Sequence, residues 1–203
     1  MNKDTLTLLP GRRELLTRVL PASAFACLTC RCAFAAAEAV RSKTAVPVEM
    51  SYDEMFKMFY LEGFIPTMKA MGDEIGRDKL VEMLKRASAK AAEQAVKEWT
   101  KKLEKRDLET FTADMRKPSP LYRHALSYEI VEDKPTAFES RVTECLWAKT
   151  FRGADAADIG YAYVCSPDAA ATKAFNPKIR VTHSGKTLME GNDRCQSRMV
   201  LET

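Results

Sequence analysis

The residues best able to do chemistry crowd into the last third of the chain. Glu144-Cys145 stands where a strand-like run ends and a helix-like run begins. A thiol near a helix N-terminus faces backbone N–H groups, which lower its pKa and favour the nucleophilic thiolate. Asp158 interrupts an otherwise apolar helical stretch, Ala156-Ala157-Asp158-Ile159-Gly160. An acid in such surroundings is either paired with a cation or raised in pKa as a general base would be. Cys165 and Cys195 add two thiols, 20 and a further 30 residues along the chain. A metal held by Cys145, Cys165 and Cys195 would therefore have to be assembled by the fold, because close-spaced zinc ligands are missing. Lys178, Arg180, Lys186 and Arg198 bring positive charge on or near the last two strand-like runs, where they could clamp a carboxylate.

Several catalytic signatures are absent. There is no glycine-rich phosphate loop, no Gly-x-Ser-x-Gly elbow and no His-Glu-x-x-His. The only two histidines are His124 and His183, and nothing marks a serine that would pair with either.

These residues need elements to position them. Ser51 to Glu54 has the form of a capping box, and Met55, Phe56, Phe59 and Leu61 follow near helical spacing. Pro66 is placed to kink that helix. Residues 77–106 carry the longest helical pattern, Leu80, Val81, Leu84, Ala87, Ala91, Ala95, Trp99 and Leu103. Glu93/Lys97 and Glu98/Lys102 are spaced as supporting pairs on its solvent face. The methionines Met50, Met55, Met58, Met68, Met71 and Met83 read as core filler. After the break at Lys117-Pro118-Ser119-Pro120, residues 125–132 and 138–144 alternate like two half-buried strands around a turn at residues 133–136. Residues 145–151 and 155–175 read as helix, broken near Ser166-Pro167-Asp168, with Asp168 placed to cap the second piece. Residues 179–182 and 196–201 read as two more strands. The expected fold class is α+β: N-terminal helices on a roughly four-stranded antiparallel sheet, with a further helix between the strand pairs.

The N-terminal 37 residues read as a targeting segment, and residues 38–203 as one domain. Arg12-Arg13 precedes an apolar stretch from Val19 to Ala39 that contains Pro21 and Arg31, and small residues follow at Ala33 to Ala37. That is the layout of a signal peptide, and the paired arginines resemble a twin-arginine export signal. The expectation is export, to the periplasm, with the twin-arginine machinery as a partner. Cys27, Cys30 and Cys32 fall inside this segment, leaving three cysteines, an odd number, in the remainder. Of 32 basic and 28 acidic residues, five and two lie in the segment, so 27 and 26 remain and the net charge falls from +4 to +1. A domain this close to neutral has no general attraction for polyanions, which argues against a nucleic-acid partner. With 203 residues, 46% of them hydrophobic, the chain can bury a sizeable core without help from a metal.

Glu144-Cys145-Leu146-Trp147-Ala148-Lys149, Ala156-Ala157-Asp158-Ile159-Gly160, Ala174-Phe175-Asn176-Pro177-Lys178-Ile179, Lys186-Thr187-Leu188-Met189-Glu190-Gly191 and Asp193-x-Cys195 together resemble the L-2-amino-thiazoline-4-carboxylic acid hydrolase family. The resemblance covers about residues 50–202. It implies hydrolytic opening of a cyclic, amidine-like ring of a small carboxylate. It also raises Cys145, Asp158, Cys165, Asn176, Asp193 and Cys195 as site residues. In that reading Cys145 attacks the carbon between nitrogen and sulfur, or Asp158 or Asp193 activates water to do so. Lys178, Lys186 or Arg198 holds the carboxylate, and Asn176 donates to the developing charge. No cofactor is required by the sequence. The competing expectation is an exported module that binds a metal, haem or small ligand without turnover.

Overall fold

The structure is a computed structural model, and it describes residues 50–202. The targeting segment, with its paired arginines and three cysteines, lies outside the described residues. Among the described residues no helix is long and apolar enough to cross a membrane.

The chain enters through the expected capping box: the Ser51 side chain accepts from the Glu54 amide, and the Glu54 carboxylate accepts from the Ser51 amide at 2.8 Å. This starts α1 (Tyr52–Phe56). The helix then loosens into a π-helical segment, Lys57–Phe64, and tightens again as α2 (Ile65–Ile75). Pro66 sits in the first turn of α2, directly after the π-helical segment, where its missing N–H removes one bond to the preceding turn. Gly76 takes a φ of 93°, which lets the chain reverse into α3 (Arg77–Thr100).

α3 is the longest helix among the described residues, and it ends at Thr100, not near residue 106. Glu93 pairs with Lys97 at 2.5 Å as the spacing predicts. Glu98 pairs instead with Lys101 at 2.6 Å, the C-cap residue three positions on. Three short helices follow, α4 (Leu108–Phe111), α5 (Ala113–Arg116) and α6 (Pro120–Ala125). The methionine expectation needs correction. Met50, Met58, Met71 and Met83 are exposed, and of the series Met68 is the one packed against the core.

β1 (Leu126–Lys134) and β2 (Ala137–Cys145) form a hairpin. β2 runs directly into α7 (Leu146–Gly153), with Cys145 as its N-cap. α8 (Ala157–Gly160), a second π-helical segment (Tyr161–Cys165) and α9 (Asp168–Phe175) follow. β3 (Ile179–His183), a short 3-10 turn (Leu188–Glu190) and β4 (Cys195–Leu201) complete the fold. The four strands are antiparallel in the order β1-β2-β4-β3, so the last strand inserts between β2 and β3. The fold is α+β, as the strand and helix patterns predict.

Two apolar clusters hold it together. Ile65, Leu80, Phe151, Ile159 and Met189 join α2, α3, α7, α8 and the 3-10 turn. Leu108, Phe138, Phe175 and Ile179 join α4 and α9 to the sheet. Gly160 makes the first cluster possible. A Cβ there would lie 2.7 Å from both the Met189 sulfur and the Phe151 ring, closer than real contacts allow.

Candidate functional site

The junction of β2 and α7 opens onto a cleft of about 730 Å³. That is within the range of small-ligand sites, roughly 300–1,000 Å³. Cys145, Lys149 and Arg152 all line it. Lys149 and Arg152, three residues apart in α7, share one face of that helix, and Cys145 caps its start. Neither cation is ion-paired among the described residues. The Arg152 guanidinium does donate to the Leu188 carbonyl, at 3.3 Å, which steadies its stem.

The neighbouring elements add acids and a histidine. α6 carries His124 and α1 carries Asp53, and their side chains meet with Nε2 and Oδ1 3.1 Å apart. An ionised carboxylate only accepts, so Nε2 is the donor in this contact, and in the neutral tautomer that satisfies it the lone pair is on Nδ1. The Tyr52 ring lies beside His124, with centroids 5.2 Å apart. Ser127, at the start of β1, faces Glu144, at the end of β2, in register across the hairpin. Its hydroxyl donates to the Glu144 carboxylate. The position of α7 is fixed from behind: the Trp147 indole N–H donates to the Tyr60 hydroxyl at 3.1 Å, and its ring packs edge-on against Phe56.

The thiol chemistry differs from the sequence expectation. Cys145 does cap α7, and its Sγ accepts from the Ala148 amide at 3.5 Å. Burial nevertheless pushes the thiol up, outweighing the amides that stabilise the thiolate. Burial also pushes Cys165 up, to about 12, with the nearby Asp168 carboxylate adding to the effect. Cys195 rises through burial too, against the Leu188 amide that donates to it at 3.0 Å. All three are free thiols and are protonated at neutral pH.

Asp158 resolves as the paired alternative. The Arg77 guanidinium grips it with Nε at 2.8 Å and Nη2 at 2.6 Å, and this holds its carboxyl below the usual range. It borders a smaller hollow of about 340 Å³, beside Lys85, Tyr161 and Glu190, and does not line the Cys145 cleft. The acid raised in pKa is Asp168, in the first turn of α9. It keeps contact with solvent, but the protein crowding its carboxyl raises it to about 6. Asp168 does not cap α9 through its side chain; Pro167 holds the N-cap position.

The other sequence-derived candidates lie apart from the cleft lining. Asn176 builds a turn, donating to the Arg106 carbonyl at 2.7 Å and accepting from the Lys178 amide at 2.9 Å. Lys178 and Lys186 are exposed on the flanking loops. Arg198 is committed to Glu132, at 2.9 Å, and Glu139, at 3.6 Å, across the sheet. Asp193 is exposed beside Arg194, at 3.6 Å. Sequence reasoning missed Asp53, Ser127, Lys149 and Arg152, and it only counted His124. The spacing Cys145-x3-Lys149-x2-Arg152 was the available signal. Among the described residues no group of three or more histidine, cysteine or acidic side chains is placed to hold a metal ion.

Comparison with curated proteins returns no match. Among solved structures, the phenol-responsive sensory domain of the transcription activator PoxR, solved with phenol, aligns at 12% identity and a TM-score of 0.42, over 67% of this chain and 71% of that one. Trafficking protein particle complex subunit 3 from Naegleria fowleri, covalently bound to palmitic acid, aligns at 12% identity and a TM-score of 0.40, over 68% of this chain and 92% of that one. The family model described as L-2-amino-thiazoline-4-carboxylic acid hydrolase matches residues 52–199. The chain belongs to that family, and membership implies hydrolysis of L-2-amino-thiazoline-4-carboxylate.

Proposed function

We propose that this member of the L-2-amino-thiazoline-4-carboxylic acid hydrolase family carries out its hydrolysis in the Cys145 cleft, by water that the His124–Asp53 pair activates. The observation that carries the reading is the cleft itself. It joins two cations on one helical face to a histidine whose tautomer a carboxylate sets. Lys149 and Arg152 hold the substrate carboxylate. His124 takes a proton from water at Nδ1 while Asp53 stabilises the imidazolium that forms. The water oxygen bonds to the ring carbon between nitrogen and sulfur. The tetrahedral adduct then collapses with breakage of a ring bond at that carbon, and the leaving atom recovers the proton from His124.

Two observations favour water over the thiol as nucleophile. Burial keeps Cys145 protonated, and the groups that perturb it include no cation. Asp158 and Asp193 do not line the cleft, so the base falls to His124. The test is a set of variants assayed for ring opening of L-2-amino-thiazoline-4-carboxylate. His124→Gln is expected to lower kcat by roughly 100-fold or more, the usual worth of a general base. Lys149→Met raises KM, and Cys145→Ala keeps most of the activity. Full activity in His124→Gln with none in Cys145→Ala would transfer the nucleophilic role to the thiol.

Export is a further part of the proposal. Arg12-Arg13 followed by an apolar, small-residue stretch supports passage through the twin-arginine machinery to the periplasm. Replacing both arginines by lysine should retain the protein in the cytoplasm, as fractionation would read.

A further inference from the structure

The cleft is charged in two parts, and the function proposed above, on which this inference rests, uses only one. Lys149 and Arg152 suit a carboxylate. Glu144 lines the same cleft from the end of β2, one residue before the N-cap of α7, whereas Lys149 stands beyond the first turn of that helix. Asp53 also lines it but is engaged by His124. Glu144 is exposed and forms no salt bridge among the described residues. An exposed glutamate of that kind usually samples many rotamers. This one is held. Ser127, its cross-strand partner, donates to Oε2. Oε1 and the second lone pair of Oε2 remain as acceptors.

A positioned carboxylate separated from two cations is complementary to a molecule with a carboxylate at one side and a planar, cationic N–C–N group at the other. We propose that Glu144, positioned by Ser127, is the specificity-determining residue that binds the protonated amidine of the substrate through paired N–H···O bonds. The cleft then selects small zwitterions, and orients the ring carbon by its charged group as well as by its carboxylate. Three separate contacts, at Glu144, at the cations and at the activated water, also suffice to distinguish the two hands of the ring.

Two half-substrates separate the claims. 2-Aminothiazoline carries the amidine without the carboxylate, and thiazolidine-4-carboxylate carries the carboxylate without the amidine. Their affinities for the intact protein can be read by NMR titration, with thermal melts as a check on folding; Glu144 is exposed, so its replacement leaves the core untouched. Glu144→Gln is expected to weaken 2-aminothiazoline by roughly 10- to 100-fold, the loss of a charge-assisted pair of hydrogen bonds, and to leave thiazolidine-4-carboxylate nearly unchanged. Lys149→Gln is expected to do the reverse. Ser127→Ala should weaken 2-aminothiazoline by a smaller factor. If Glu144→Gln weakens both probes alike, or neither, the assignment of Glu144 is wrong although the carboxylate anchor stands. If the unaltered protein binds neither probe, the cleft is not the site and the proposed function falls with it.

Discussion

Replacing Asp158 by asparagine separates a structural from a catalytic reading of this acid. Asp158 takes two bonds from one guanidinium, at 2.8 and 2.6 Å, and Arg77 also donates to the Asp155 carbonyl at 3.1 Å. The set ties the start of α3 to α8. Hydrogen bonds to charged groups in full shelter would be worth up to about 3 kcal/mol. Here the side chains of Arg77 and Asp158 are 36% and 44% exposed, so screening reduces the pair to about 1 kcal/mol. For a domain of this length that is a fall in Tm of roughly 2–4 °C. Arg77→Met should cost about the same, and the double variant little more, as urea unfolding at neutral pH would measure. The pH dependence has a definite sign. The folded carboxyl titrates below its unfolded counterpart, so its contribution is complete above the unfolded value of about 3.9 and is lost as pH falls through the folded one. The gap between parent and variant therefore closes in acid. Ring-opening activity should stay near the parent's, because Asp158 does not line the cleft. An unchanged Tm with a hundredfold loss of kcat would refute the reasoning and return Asp158 to the chemistry.

Other outcomes follow from the same geometry. Gly160→Ala forces a methyl to within 2.7 Å of Met189 and Phe151 and should destabilise by roughly 1–3 kcal/mol in thermal melts; an unchanged Tm would mean that this core is not close-packed. Asp168→Asn should stabilise the protein above about pH 6 and do little near pH 4. The reason is that a carboxyl raised on folding costs stability only where it is ionised, a cost relieved as pH falls through the folded value; a variant less stable at pH 8 would contradict it. Cys145 should react slowly with iodoacetamide at neutral pH and faster only above the ordinary thiol range, since burial raises it; rapid labelling at pH 7 would restore the thiolate.

The sheet was legible because its strands alternate and the turns between them carry Pro, Gly, Asn and Asp. The capping box at Ser51 was legible because it is a local exchange of hydrogen bonds. The end of α3 was not, since Leu103 continues the apolar spacing past Thr100 while packing into the Phe138–Phe175 cluster from a loop. The π-helical winding of residues 57–64 leaves no mark that apolar periodicity would show. The site was legible in part. Cys145 at the start of a helix follows from the chain, but its protonation does not, because desolvation depends on what the fold packs around it. Asp53 and His124 lie 71 residues apart, and only the docking of α1 against α6 joins them. Arg198 reads as a free cation until β4 inserts beside β2 and brings it to Glu132 and Glu139.

The wide winding at Lys57–Phe64 sets the phase between α1 and α2. Each residue of an ordinary helix turns the chain by about 100°. A substitution that restored regular pitch there without changing the length would keep the helical content nearly unchanged. It would swing α1 by about a quarter-turn or more, carrying Asp53 away from His124 while Ile65 stayed in the core. The winding there therefore acts as a dial on the cleft. A lineage that lost one residue would shed the extra winding with it, and would keep α1 in phase and the acid beside the histidine.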